Sequence, residues 1–538
     1  MDVTDMWGHP WSCALMMVWT LLFAWTRHPL FLVAALVNDL AHVAPYWPDV
    51  PNHSNLIVFL DVIILMWLLW DVSLAVVRHF RHRGSKDGLK KGSIRSGDIL
   101  QVISSSMECS AYHRIMPLLP FLFSVLYWFA GFHKLNYDFF TPPQSCVADF
   151  TRRIAGGMGI QHHQWLADLL RPDTQAAAMT VLFLGAFVIL WELGCAVLVW
   201  SRRWRPYVLG FIAFMHMNLA LAKFVNFSSL INVFILAFLA ISLPHTTLVK
   251  AFMEDTEGKS RRWAVWSRVH LYVYANLLAS CSFWLIRLAP EGSKKKLMYV
   301  RLRAAVFIVS TIHLLATPLY RAIVHHSRQQ PKTKAKSEDS PPPPPVSLSF
   351  FQAARRLSCL NWVYVLLMVL FYLMPYLGLR TAGCATMFSN LQIESVAYPP
   401  YASRSNHLLV SSDALRLFSY TDDLVYFHSW PSGMIGRKTW GKMTGQAVPL
   451  VEVHKMVRKA IIETDPRLNY GLQFAANFSY YHHPSGADDD DSGGWETRWV
   501  KDIRKEELFT SGELVSWWEM RLLSFRPIPF NAPKRCYW

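Results

Sequence analysis

The sequence has few cysteines, and no two of them lie close enough in the chain to form a metal-binding motif. None of the eight cysteines has a second one at the spacing of about two to four residues that zinc ligands use. This excludes zinc fingers and zinc ribbons, and we expect no metal site. Cys146, Cys384 and Cys536 fall in loop or tail segments, so a disulfide among them is an option in an oxidising compartment.

The chain also lacks a basic segment before its first apolar run. Asp2 and Asp5 precede that run, whereas a secretory signal peptide begins with positive charge. The run leads directly into further apolar segments. We therefore expect no removable signal peptide and interpret the first run as part of the folded protein.

Long apolar segments are what the sequence has in abundance. Hydrophobic residues make up 53% of the 538 residues, and 23 Trp and 20 Tyr supply the side chains favoured at membrane interfaces. Mean hydropathy is +0.20. A helix needs roughly 20 apolar residues to cross about 30 Å of hydrocarbon. The predicted spans are residues 12–46 (two short spans), 55–77, 115–132, 176–200, 206–222, 227–243, 266–288, 300–322 and 358–378.

Basic loops between these segments predict their orientation. Residues 78–95 contain seven Lys or Arg, and a second basic cluster occupies residues 201–205. Short loops of this kind, below about 60 residues, stay cytoplasmic. This topology places His53 and Lys134 on the same, non-cytoplasmic side. The same alternation would place the basic residues 289–303 on the non-cytoplasmic side, against this rule, so the orientation of that loop stays open.

The formal net charge of +16 is spread over such short clusters. We interpret it as a topology signal and as attraction to anionic membrane lipid, with no nucleic acid as a partner.

The segments after residue 245 differ in character. Residues 246–379 combine additional spans with a Pro- and Lys-rich linker at 327–347, which cannot build a core. Residues 380–538 are predicted to form a small non-cytoplasmic α+β domain. Its predicted strands are residues 407–410, 424–427 and 497–500, and its predicted helix is 451–463.

The most informative segment ends a predicted span with Gly131 and Lys134. In one interpretation Lys134 reaches the lipid headgroups and Gly131 permits close helix packing. In the other, Lys134 is a general base, which requires an unprotonated amine in a desolvated site.

Further polar residues raise the question of function. His53 precedes a span and could orient a substrate, although a lone loop histidine is more often structural. His216 lies inside an apolar helix, where polar groups are costly. Intramembrane acids act as proton relays or as ties between helices. Acids of this kind in the predicted spans are Asp61, Asp71 and Glu192.

Three of these segments resemble the HTTM domain that is shared with vitamin K-dependent gamma-carboxylase. They are Asn52-His53-Ser54, Ala130-Gly131-Phe132-His133-Lys134-Leu135 and His216-Met217-Asn218. The resemblance covers about residues 12–245 and implies an HTTM-like transmembrane domain of residues 1–245. Segments after Gly378 are similar to the tails of HTTM-domain proteins from bacteria and algae. The chain departs from the carboxylase at His133, where that enzyme has a second lysine, and in its shorter tail.

The resemblance implies a lyase or monooxygenase that works with reduced vitamin K or another quinol, O2 and CO2. In the carboxylase, the motif lysine deprotonates the quinol, the oxidised cofactor removes a proton from a glutamate side chain, and CO2 adds there. Carried over, Lys134 is the base, His53 assists at the reacting centre and His216 is a further site residue. The acceptor would be a protein or peptide on the non-cytoplasmic side.

From these observations we predict an all-α polytopic membrane bundle of about nine or ten transmembrane helices, followed by a C-terminal non-cytoplasmic α+β domain. Its location would be the endoplasmic reticulum or the plasma membrane. The alternatives are a non-catalytic protein that binds lipid or a partner, and a proton-linked transporter.

Overall fold

The structure is a computed structural model that describes just over half of the chain, in pieces. The main ones are residues 29–44, 52–84, 114–140, 145–158, 163–169, 174–201, 203–221, 225–242, 294–328, 349–380, 407–410, 423–429, 446–463, 475–481 and 495–510.

The described part before residue 380 is helical. Its helices are α1 (Pro29–Val43), α2 (Asn52–Gly84), α3 (Leu118–His133), α4 (Tyr137–Phe140), α5 (Cys146–Met158), α6 (Gln164–Leu169), α7 (Gln175–Leu198), α8 (Arg205–Leu221), α9 (Val225–Ser242), α10 (Lys294–Arg328), α11 (Phe350–Arg356) and α12 (Cys359–Leu373).

Helix α3 is the centre of this bundle. It packs most extensively on α7 and also contacts α9 and α12, while α8 packs on α9 and α10. The core is apolar and rich in aromatic rings, with Phe123 and Phe234 fully buried where α3 meets α9. Because apolar residues run all round these helices rather than along one stripe, inward side chains build this core and outward ones are left exposed.

Two described helices are long and apolar enough to cross a membrane. They contain Asn55–Leu74 and Gln175–Leu198, and a third would be α11 and α12 together, which meet at 118°. Segments Phe31–Val43, Leu118–His133 and Leu230–Leu239 are apolar but shorter. The larger number of spans stays a prediction, and the predicted span 266–288 lies outside the described residues.

The basic residues before the predicted span 300–322 are helical rather than looped. Helix α10 begins at Lys294 and runs for 35 residues. The expected loop 289–303 is therefore wrong from Lys294 onward. A helix-forming run of Lys, Leu, Met and Arg extends the apolar helix backwards, since these side chains all favour helix.

The tail contains a five-stranded antiparallel sheet in the order β4-β3-β1-β2-β5. Its strands are β1 (Leu424–Ser429), β2 (Gln446–Pro449), β3 (Ala476–Tyr481), β4 (Trp495–Val500) and β5 (Ile528–Pro529); helix α13 (Leu450–Glu463) follows β2, and α14 (Glu507–Thr510) lies between β4 and β5. Val453 and Val457 of α13, one turn apart, pack on Phe427 and Phe478. The predicted helix and the predictions of β1 and β4 are confirmed.

The predicted strand at 407–410 is wrong. His407 instead makes an isolated antiparallel bridge with Asn136, at the end of α3. Cys146, the first residue of α5, is disulfide-bonded. The other two cysteines of that prediction, Cys384 and Cys536, lie outside the described residues, so the pairing stays a prediction.

Candidate functional site

Lys134 lies immediately after the last residue of α3. Its backbone N–H donates to the Gly131 carbonyl at 3.1 Å, so the chain is still helical at this point. The side chain extends into the bundle and only 5% of the residue is exposed.

The Lys134 ammonium forms an ion pair with Glu192 of α7. Nζ lies 2.7 Å from Glu192 Oε2 and 3.0 Å from Oε1, and it also donates to the Ala130 carbonyl at 3.0 Å. An ammonium has three N–H bonds, and these three acceptors match them. Lys134 and Glu192 are therefore a bonded pair rather than two separate side chains.

Gly131 makes this pair possible because it lets α3 and α7 approach closely. A Cβ at this position would lie 2.9 Å from Leu193 Cγ and 3.2 Å from Glu192 Cβ. The first of these separations is too short for any real side chain. The interpretation of Gly131 as a packing glycine is therefore confirmed, and its consequence is to bring Glu192 to Lys134.

The His216 ring is hydrogen-bonded to a tyrosine that lies on the same side of α3 as Lys134. The Tyr127 hydroxyl and His216 Nε2 are 2.6 Å apart. Tyr127 precedes Lys134 by seven residues, about two helical turns, so both lie on one side of α3. Ser228 of α9 donates to the His216 backbone carbonyl at 2.8 Å. His216 thus links α3, α8 and α9, and its partner Tyr127 is a site residue that sequence reasoning misses.

His53 lies in the first turn of α2, which begins at Asn52. The structure does not describe the His53 side chain, so the pocket expected to contain both His53 and Lys134 stays a prediction.

The two aspartates of the candidate span Asn55–Leu74, Asp61 and Asp71, have partners of different kinds. Asp71 forms an ion pair with Arg114 at 3.6 Å, and the Arg114 guanidinium lies 4.4 Å from the centroid of the Trp67 ring. Asn361 accepts from the Trp67 ring N–H and donates to the Arg114 carbonyl. Asp71 is therefore one member of a tie between helices, which argues against a proton relay. Asp61, in contrast, lies beside a second acid, Asp39 of α1.

The tail is attached to the chain on both sides of Lys134. Leu408 N–H donates to the Leu135 carbonyl at 2.8 Å, and His407 Nε2 lies 2.9 Å from the Phe132 carbonyl. His407 Nδ1 lies 3.1 Å from the N–H groups of both Leu409 and Val410. Because Nδ1 accepts, the ring is neutral and Nε2 is the donor. Burial lowers the pKa of His407, although the bond to Phe132 acts in the opposite direction.

A metal centre is not part of this site as far as the structure describes it. Across the described ranges, no group of three or more His, Cys, Asp or Glu side chains could hold a metal ion. What the arrangement offers is acid–base chemistry: an amine and a carboxylate in contact between two apolar helices.

Comparison of the chain with protein-family models, curated proteins and solved structures finds no match.

Proposed function

We propose that the chain is a multi-pass integral membrane protein in which Lys134 and Glu192 together remove a proton from a hydroxyl of a lipid-soluble, quinol-type cofactor. The reaction class would be that of the carboxylase it resembles: reduced vitamin K or another quinol, O2 and CO2, and a protein or peptide acceptor on the non-cytoplasmic side. The observation that carries this proposal is the contact between the motif lysine and Glu192 at 2.7 Å.

The residues around the pair suit a lipid-borne hydroxyl. Apolar helices flank it, and Leu193 packs directly beside Gly131. The Glu192 side chain is 17% exposed, against 6% for Lys134. A hydroxyl would therefore reach the pair from the side of Glu192. A bound quinol would supply a hydroxyl that becomes oxidisable once it loses its proton.

A charged lysine cannot act as a base, so the proposed reaction needs both members of the pair. Lys134 first passes a proton to Glu192, which leaves a neutral amine and a neutral carboxylic acid. Lys134 then takes the hydroxyl proton and becomes an ammonium again. The net result is one proton moved from the hydroxyl to Glu192, while the Lys134 charge faces the oxygen that lost it and stabilises its negative charge.

The first test is quinol oxidation in membranes that contain the full chain. We expect Lys134→Met and Glu192→Gln each to lower turnover about 10²- to 10⁴-fold while the protein still accumulates, since proton transfer by a placed group contributes that much. Because the two act as one unit, the double variant should lose little more than either single one. Lys501→Met is the matched control, as Lys501 is exposed in the tail. Full turnover in Lys134→Met would eliminate the proposal.

The matched bonding of Lys134 favours a second candidate. Three acceptors for three N–H bonds also suit a non-catalytic tie in a protein that binds lipid or a partner. In that case wild-type membranes would oxidise no quinol, and Lys134→Met would lower only the thermal stability and the amount of protein.

A further inference from the structure

The end of the bundle farthest from Lys134 contains a cluster of aromatic rings beside a basic segment. Four aromatic rings meet there, contributed by the start of α3, the end of α7, α11 and the start of α12. Phe121 is 4.8 Å from Trp200, 5.2 Å from Phe350 and 5.5 Å from Trp362, measured between ring centroids. Trp200 and Phe350 are 5.1 Å apart. These contacts bring α11 beside the basic segment that follows α7.

Helix α11 is short and turned away from α12, and side-chain caps mark the start of both helices. Ser349 and Gln352 form a capping box at its start, and Ser358 accepts from the Asn361 N–H to begin α12. Leu357 between them is extended, and the two helix axes make an angle of 118°. If α12 crosses a membrane, α11 runs close to the plane of its surface.

The exposed side of α11 has the composition of an interfacial helix. Ala353 and Leu357, one turn apart, face the bundle. Phe351 is 74% exposed, and Arg355, one turn after it, and Arg356 are exposed as well. An outward phenylalanine beside two arginines suits the boundary between acyl chains and headgroups.

Neighbouring residues extend the same surface. Arg203 and Trp204, just after Trp200, are both exposed, and the Arg203 guanidinium lies 5.6 Å from the centroid of the Trp204 ring. Trp362 is exposed at the start of α12. Exposed tryptophans typically lie at the headgroup level. The outward stripe of α12 below this level is apolar, formed by Val363, Leu366, Leu367 and Leu370.

We propose that this surface, formed by Arg203, Trp204, Phe351, Arg355 and Arg356, binds the headgroups of anionic phospholipids. The planar guanidinium groups pair with phosphate oxygens, Phe351 inserts among the acyl chains, and the aromatic contacts hold the arginines at one level. The inference rests on the membrane location in the proposed function but not on the chemistry at Lys134.

The test is lipid retention by the purified full chain, measured by native mass spectrometry with phosphatidylserine and with phosphatidylcholine. We expect the wild-type chain to retain phosphatidylserine preferentially. Arg355→Gln/Arg356→Gln should weaken its retention about tenfold or more, since each arginine near an anionic surface contributes about a fivefold gain. Retention of phosphatidylcholine should not change. The matched control is Arg152→Gln/Arg153→Gln on α5, which removes the same charge from exposed residues beyond the Lys134 end of α3.

Three results would overturn the inference. One is unchanged phosphatidylserine preference in the α11 variant, and another is an equal loss in the α5 control. The third is displacement of phosphatidylserine by excess inorganic phosphate, which would indicate a site for free phosphate rather than for a lipid. Failure of the proposed function gives a different result. If alkaline carbonate washes the chain off membranes, the membrane location is contradicted. If the chain oxidises quinol but shows no preference for phosphatidylserine, only the headgroup site is contradicted.

Discussion

Two buried lysine–glutamate pairs with nearly equal separations differ in what else contacts their carboxylates. Lys455 and Glu452 are 2.8 Å apart on α13, and Lys134 and Glu192 are 2.7 Å apart between α3 and α7. The tail pair has further backbone partners: Lys455 donates to the Leu523 carbonyl, and Phe525 N–H donates to Glu452.

The difference lies in what else can reach the carboxylate. Glu452 accepts from both a side chain and a backbone N–H, and its side chain is 7% exposed. For Glu192, Lys134 is the donor within the described residues. A carboxylate with two donors ties parts of the chain together, and the Glu452–Lys455 pair holds Leu523 and Phe525 against α13. Glu192 has one donor within the described residues and a more exposed side chain, which is what the proposed proton transfer requires.

The largest effect should come from breaking the tail pair. Lys455→Met leaves the Glu452 charge buried beside apolar side chains, and removing one partner of such a pair costs about 3–5 kcal/mol. We expect faster proteolysis of the tail and a lower unfolding temperature. Lys134→Met should destabilise less, because Glu192 can be hydrated or protonated from its exposed side. Equal losses of stability in the two variants would remove the distinction between the pairs.

The next effect should come from Gly131→Ala, which tests the close approach of α3 and α7. The new methyl group requires Leu193 to move, and overpacking of this kind costs about 1–3 kcal/mol. It should also separate Glu192 from Lys134 and lower quinol turnover. Gly210→Ala on α8 is the control, because a Cβ there meets nothing within 4 Å. If both variants melt and turn over alike, close packing at Gly131 does not hold the pair together.

The smallest effect is a pH dependence in the contact between the tail and α3. Burial lowers the pKa of His407 in the folded chain, whereas an exposed histidine titrates near pH 6.5. Its contribution to docking is therefore complete above about pH 6.5 and declines as the pH falls below that value. The rate of hydrogen exchange at the amides of residues 408–410, after correction for the intrinsic rates, should rise as the pH is lowered from 7.5 to 5.5.

His407→Asn provides the control for this dependence. Asparagine can still accept from the N–H groups two and three residues on, but it has no proton to gain. The variant should show exchange that is independent of pH over the same range. If it retains the full pH dependence, a group other than His407 is responsible.

The sequence is sufficient to locate most of the described helices but not to pair them. Apolar runs at 55–77, 176–200, 206–222 and 227–243 each coincide with a helix, since twenty apolar residues in succession leave few other structures. Strands β2, β3 and β5 escape prediction; β2 and β5 have only four and two residues, which carry almost no periodic signal. The extent of α10 escapes it because a run of charged residues indicates a loop as readily as a helix.

Some residues of the candidate site can be identified from the sequence, and others cannot. Lys134 is identifiable from its motif and from its place at the end of a span. Glu192 is recognisable as an intramembrane acid, but its partner lies 58 residues away on another helix, a distance that local patterns cannot bridge. Tyr127 carries one weak signal, its spacing of two turns from Lys134. His407 carries none, because its bonds are to backbone carbonyls and N–H groups that nearly every residue possesses.

The attachments of the tail at Phe132 and Leu135 lie immediately before and after the lysine. The position of the Lys134 backbone thus depends on a segment more than 270 residues further along the chain. A shortened chain that ends after α12 would keep the contact between Lys134 and Glu192 but lose the tail bonds that hold the backbone on either side of Lys134. A displacement of the tail would therefore be felt first at the C-terminal end of α3, where Lys134 lies.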